Sequence, residues 1–358
     1  MNERLILMTK RLLRDLGSRQ RPGVRRSSGA FERLVACGKL QRAGALQNAL
    51  ALMMIASVVI AVRPVQAQWE PLPPLPEPNG GFVCGHAKGK IVVKGGTNWE
   101  GGKKNWLSRL HRFDPVRREW DSSFFDGPLA YAVSIQNGND ALLEMGGTNG
   151  KEPQSIHKGR KQVVLSVGAA MPGPQGDGLV PYLLICGGTD DPANLAGVTA
   201  ETHAATAGGT IKLADYPGKP FATAASVVLG SELFVFGGMN YDAEAKLPAN
   251  TAEAYAFSPE KNVWRKLTPL AVPTRGLTAV TLDENHIYIA GGYREDFTAE
   301  AVIYDVKADS YRKALPLPYA AMVGLVRMGD HVYCLGGEDK KQSRTDKFFR
   351  IPVAELLK

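Results

Sequence analysis

Glu338 stands where a carboxylate can do proton chemistry: it follows directly on Gly336-Gly337, in a loop, six residues before Arg344. A carboxylate within hydrogen-bond reach of a ligand hydroxyl can take up a proton and return it. Arg275, Arg294 and Arg344 suit an anionic ligand, because a planar guanidinium grips a carboxylate through two parallel hydrogen bonds. Around them lies a set of polar residues at one repeated position, the second residue past each of six Gly-Gly pairs: Asn98, Asn149, Asp190, Asn240, Arg294 and Asp339. The residue before each is Thr97, Thr148, Thr189, Met239, Tyr293 and Glu338. Two uses of these side chains stay open. Asn and Asp after a strand either read ligand hydroxyls or bond their own backbone to shape a turn. Glu338 is either a working carboxylate or a surface charge paired with Arg294 or Arg344.

What must position these residues is a repeated unit. The glycine pairs fall at 95–96, 146–147, 187–188, 237–238, 291–292 and 336–337, and each follows a short apolar run such as Leu233-Phe-Val-Phe236. Runs of this length bounded by glycine read as buried strands. An aromatic closes several repeats, Trp120, Trp264 and Tyr311, with a Pro-rich loop after it. The segment Gln68-Trp-Glu-Pro-Leu has the look of a last strand, whereas Lys347-Phe-Phe-Arg-Ile351 has that of a third strand with no fourth. The expectation is that Trp69 supplies the missing strand beside Phe348–Ile351, which would remove the open edges of a ring. In the second repeat Lys161–Leu165 is the expected third strand. No helix of consequence is expected; the nearest helical candidate is the tail 353–358, too short to stand alone.

The chain has 358 residues, 44% hydrophobic and 22% charged, with a formal net charge of +8. That surplus is confined to residues 1–67, which hold 12 Lys/Arg against Glu3, Asp15 and Glu32. The remainder is near neutral, so no global field attracts a phosphate backbone, and a nucleic-acid partner is not expected. Residues 1–67 read as a basic leader with an apolar core at 46–62 and a small-x-small site at Val65-Gln-Ala67. Cleavage there makes the mature chain periplasmic or secreted. Retention makes it membrane-anchored, and the apolar core allows transient membrane contact in either case. Cys37 falls in the leader, and Cys84, Cys186 and Cys334 form no CxxC pair, so buried thiols are expected instead of a disulfide framework. The six histidines show no close pairing, and no P-loop, Gly-x-Ser-x-Gly or His-Glu-x-x-His motif occurs; neither metal nor cofactor is expected.

The glycine pairs recur at a mean of about 48 residues, near the roughly 50 of a kelch repeat. With the closing aromatics and the fit of the two termini, residues 68–358 resemble the kelch-type β-propellers. The resemblance implies an all-β, six-bladed propeller closed by the N-terminal strand completing the C-terminal blade. Within that group the leader, the size and Gly337-Glu338…Arg344-Thr345-Asp346 resemble the bacterial N-acetylneuraminate epimerases, or sialic-acid mutarotases. That likeness implies Glu338 as the catalytic carboxylate, arginines for the sugar's acid group, and Trp99 and Trp106 as an apolar wall for its ring. Kelch rings also serve as platforms, so a protein, peptide or glycan held at the loop face is the other expectation.

Overall fold

The computed structural model describes residues 68–154, 163–171, 182–191, 194–206 and 209–358. The leader, its apolar core, the cleavage site and Cys37 lie outside the described residues, as do positions 161–162 of the expected strand 161–165.

The described chain is an all-β propeller with five four-stranded antiparallel sheets. In chain order they begin at the strands Val83–Ala87, Val167–Met171, Ala225–Leu229, Thr278–Thr281 and Met322–Met328. A two-stranded sheet, Val133–Asn137 with Ala141–Met145, falls between the first two of these. The opening strands pack side by side in sequence, each against the next, and Met322–Met328 returns to Val83–Ala87. Second strands such as Glu232–Phe236 are buried almost throughout, because both faces are covered by neighbouring sheets. Between the last and first sheets, Phe348, Tyr333 and Leu335 pack on Phe113, Ile91 and Val93.

Closure follows the expectation from the termini. Glu70 pairs with Arg350 and Pro71 with Phe349, so the N-terminal segment is the fourth strand of the last sheet. The Leu72 and Leu75 amides carry the pairing on, donating to the carbonyls of Phe348 and Asp346. Arg350 and Arg118 both donate to the Glu70 carboxylate, at 2.7 and 2.5 Å.

The glycine pairs have a physical reason. Both members have positive φ in all six, the second between 86° and 105°, a region that side chains make costly. The second glycine's amide donates to the loop leading into the next sheet, from Gly96 to Leu129 O (2.7 Å) round to Gly337 to Asn79 O (2.7 Å). A methyl group on Gly337 would collide with the Met322 carbonyl. The closing aromatics add a second link on the outer rim. The indoles of Trp120, Trp264 and Trp69 donate to Pro73, Ala214 and Pro316 O, and the Tyr311 hydroxyl donates to Thr268 O.

One expectation needs correction. Val163–Leu165 is no outer strand of the second repeat. Val164 bridges Thr189 and Leu165 donates to Tyr131 O, which makes this stretch the loop leading inward to the next sheet. Its apolar character reflects that enclosed path. The tail, the nearest helical candidate, forms only a short helix, Val353–Leu357, whose Val353 and Leu356 are buried against the last sheet. No helix among the described residues is long and apolar enough to cross a membrane.

Candidate functional site

Each inward-leading loop crosses the end of the ring beside a post-glycine residue. Backbone bridges join Gly80 to Thr97, Ala130 to Thr148, Val164 to Thr189, Ala222 to Met239 and Arg275 to Tyr293. Met322 pairs with Glu338 in the same way. The next residue in five of these loops has positive φ: Gly81, Tyr131, Leu165, Thr223 and Gly276. These five are threaded together, since the amides of Tyr131, Leu165, Thr223 and Gly276 each donate to the carbonyl of the one before, at 2.7 to 3.1 Å. Inside this thread the opening strands enclose a cavity of about 830 Å³, whose wall includes Tyr131, Thr223, Met322, Glu338 and Arg344.

Glu338 and Arg344 meet on that wall. The Arg344 guanidinium lies 3.2 Å from the Glu338 carboxylate; its side chain is 4% exposed, against 32% for Glu338. Arg344 reaches out of its own sheet: Nε donates to Thr97 Oγ1 (3.3 Å), Nη1 to Ser343 O (2.7 Å) and Nη2 to the Tyr131 hydroxyl (3.4 Å). Gly80 makes the route available, because a methyl there would press on Arg344 Cδ and Nε. At the five equivalent positions Glu338 has threonine three times, and those hydroxyls finish local loops: Thr97 to Gly80 O, Thr148 to Glu152 O, Thr189 to Asp191 and Asn194 O.

The other expected site residues divide into loop-shaping and rim groups. Asp339 accepts from Ser343 (2.9 Å), Asn98 accepts from Asn105 (3.0 Å), and Asn149 accepts the amides of Lys151 and Glu152. Asn240 is buried on the hairpin Met239–Asp242/Leu247–Asn250, and Asp190 is exposed. Arg275 lies over the Tyr293 ring (4.6 Å) and donates to Asn250, whereas Arg294 donates to Thr274 and Glu300. The structure therefore brings Glu338 to Arg344 and leaves Arg275 and Arg294 on partners of their own, outside the cavity wall.

Two residues beside the pair have no counterpart in the sequence reading: Tyr131 on the cavity wall and Lys104, which bonds to it. Tyr131 receives a hydrogen bond from Lys104 (2.6 Å), and the Lys104 ammonium also lies 4.7 Å from the ring centres of Trp106 and Tyr131. Burial works against ionisation of the Tyr131 phenol. Lys104, by charge and hydrogen bond, with Thr97 and the Arg344 charge, outweighs it and holds the phenol below the ordinary tyrosine range. Trp106 stands edge-on to Tyr131 at 5.9 Å. Glycine at two of the five threaded positions is the signal that marks this ring of positive φ. It is visible only once the loops are aligned by their place in the fold.

Among the described residues no cluster of three or more His, Cys, Asp or Glu could hold a metal ion. Cys186 and Cys334 are buried free thiols, and desolvation pushes both up to about 12, which leaves them inert.

Residues 220–271 match the Kelch motif. Curated relatives include the N-acetylneuraminate epimerases of Salmonella enteritidis (27% identical over 176 residues), Salmonella paratyphi B (28% over 178) and Yersinia pestis (27% over 186). Each match covers 39% of this chain and 46% of the relative, so the chain spans about half the length of the curated relatives it matches. The protein is a β-propeller bearing a Kelch motif, similar over part of its length to N-acetylneuraminate epimerases.

Proposed function

We propose that the protein binds a small acidic sugar at the mouth of the central cavity and interconverts its anomers, with Glu338 as the proton-transferring carboxylate. The observation that carries this reading is the Glu338–Arg344 pair on the cavity wall: a partly open carboxylate held by an arginine that is almost wholly enclosed. Anomer exchange needs a proton taken from the anomeric hydroxyl as the sugar ring opens and given back as it closes. Arg344 keeps Glu338 oriented toward the cavity for the first step. Three of the five guanidinium hydrogens are spent on Thr97, Ser343 O and Tyr131, and Nη1 also faces Glu338 at 3.2 Å, which leaves a hydrogen on Nη2 for the ligand's acid group. The relatives' name, N-acetylneuraminate epimerase, supports an acidic sugar as the class of substrate.

The ring is inferred to have six blades, the two-stranded sheet being the inner half of the second; its first strand packs between those of its neighbours, and its glycine pair Gly146-Gly147 clasps the next loop at Val163 O. The leader is inferred to export the chain. A second reading, a rim that holds a protein, peptide or glycan, is favoured by the Arg275–Tyr293–Phe297 cluster, which lies off the cavity wall.

The test is exchange between α and β forms of a free acidic sugar, followed by NMR. Glu338→Gln should cut the catalysed rate by about 10²–10⁴-fold while the fold stays intact. An unchanged rate refutes the reading.

A further inference from the structure

We propose that Tyr131 is the second proton-transfer residue of this site, serving the sugar's ring oxygen while Glu338 serves the anomeric hydroxyl. The inference rests on the anomer-exchange reading above and adds the partner that reading lacks.

Opening a sugar ring moves two protons at two different oxygens, and one carboxylate faces only one of them at a time. The cavity wall offers a second group. Tyr131 lines the same cavity as Glu338, and one guanidinium spaces the two, with Arg344 Nη1 3.2 Å from Glu338 and Nη2 3.4 Å from the Tyr131 oxygen. The two acid–base groups are thus fixed on adjacent nitrogens of a planar fork.

The bonding around the phenol suits it to giving up a proton. Lys104 at 2.6 Å and Arg344 at 3.4 Å are both pure donors, so the phenol oxygen accepts from each and its own hydrogen is spent on neither. When that hydrogen leaves, two cations already face the phenolate. Thr97 from the adjoining hairpin contributes in the same sense.

The backbone holds Tyr131 where few side chains sit. Its φ is +58°, a conformation that is costly for a non-glycine residue and persists only when its surroundings enforce it. Here they do. The amide is bonded to Gly81 O, the carbonyl accepts from Leu165, the ring covers the space a Gly81 side chain would fill, and Trp106 abuts its edge. The other threaded positions carry Gly81, Leu165, Thr223 and Gly276, none of which ionises.

The step balances within these groups. The Glu338 carboxylate removes the anomeric O–H proton, the O–H electron pair forms the carbonyl, and the bond from the anomeric carbon to the ring oxygen breaks. Its electron pair stays on that oxygen, which takes the Tyr131 proton. Rotation of the open chain and the reverse transfers, to Tyr131 and from Glu338, close the other anomer with both residues restored.

The experiment pairs exchange NMR with a phenolate titration, read in the near ultraviolet as the difference between wild type and Tyr131→Phe. Tyr131→Phe should lower exchange by at least about 10²-fold with KM nearly unchanged. The titration should place Tyr131 below ordinary tyrosines. Lys104→Met should move that ionisation to higher pH and slow exchange, and Lys104→Arg should restore both, which separates the proton role from folding. Wild-type exchange in Tyr131→Phe, or a phenol titrating in the ordinary range, overturns the assignment while leaving Glu338 standing. A wild-type protein that exchanges no anomers overturns both.

Discussion

Replacing Phe348 with alanine probes the seam on which the ring depends. Phe348 lies on the strand that receives the N-terminal segment, is 1% exposed, and packs across to the first sheet. Its ring meets Phe113 edge-on at 4.9 Å, Trp120 at 5.3 Å and Tyr333 at 5.9 Å. Truncating a phenylalanine so enclosed removes its transfer free energy and leaves a void, a loss of about 3–5 kcal/mol, with the aromatic contacts placing it toward the upper end. Out of a typical stability of about 5–15 kcal/mol this is a large fraction. At about 2.1 cal/mol/K of unfolding entropy per residue, a propeller spanning residues 68–358 loses about 1.6 °C per kcal/mol, so the melting temperature should fall by roughly 5–8 °C. Phe349, one residue on, is half-buried beside Tyr319 on the opposite side, so Phe349→Ala should cost distinctly less. Thermal unfolding followed by Trp120 fluorescence reads both variants at the seam. A Phe348→Ala melting point within ~1 °C of wild type, the scale of an ordinary surface substitution, would show that the last sheet does not close on the first.

Gly80→Ala should push Arg344 off Thr97 and Tyr131, weakening sugar binding by about tenfold or more, as titration calorimetry would show, with wild-type affinity refuting the geometry. At the terminal strand, Arg350 first and then Arg118 hold the Glu70 carboxyl below its usual range. Its contribution is therefore complete above about pH 4.3, where an unfolded glutamate ionises, and is lost as pH falls through the lower folded value. Because the pair is well exposed, Glu70→Gln should cost only ~0.5 kcal/mol at neutral pH, and the difference from wild type should vanish in acid; urea unfolding across pH tests this, and a pH-independent difference counts against it. The proposed cleavage after Ala67 predicts, by mass spectrometry of the chain purified from its host, Gln68 at the N-terminus; a retained leader would refute it.

The sequence by itself determined what a local pattern can encode. Gly95-Gly96 and its five counterparts are readable because two successive residues need positive φ, a demand other side chains meet badly. The Trp69 and Phe348 segments announce their pairing because an incomplete sheet at one end of the chain is matched by a spare strand at the other. That Glu338 and Arg344 lie within reach of each other was legible from their spacing, six residues apart, one at the end of a strand and one in the loop after it. Only the tertiary structure decided which groups meet them. Arg344 reaches Thr97 across 247 positions and Tyr131 across 213, while Lys104 arrives from the separate hairpin Thr97–Glu100/Lys103–Trp106. No periodicity links these residues, and Tyr131 looks like any strand tyrosine until its loop is threaded at positive φ beside the cavity. Arg294 shows the converse: its place past a glycine pair resembles that of Asp339, yet Glu300 holds it elsewhere. Sequence spacing sets which end of the ring a residue occupies; packing between sheets sets where its side chain points, and the chemistry depends on that.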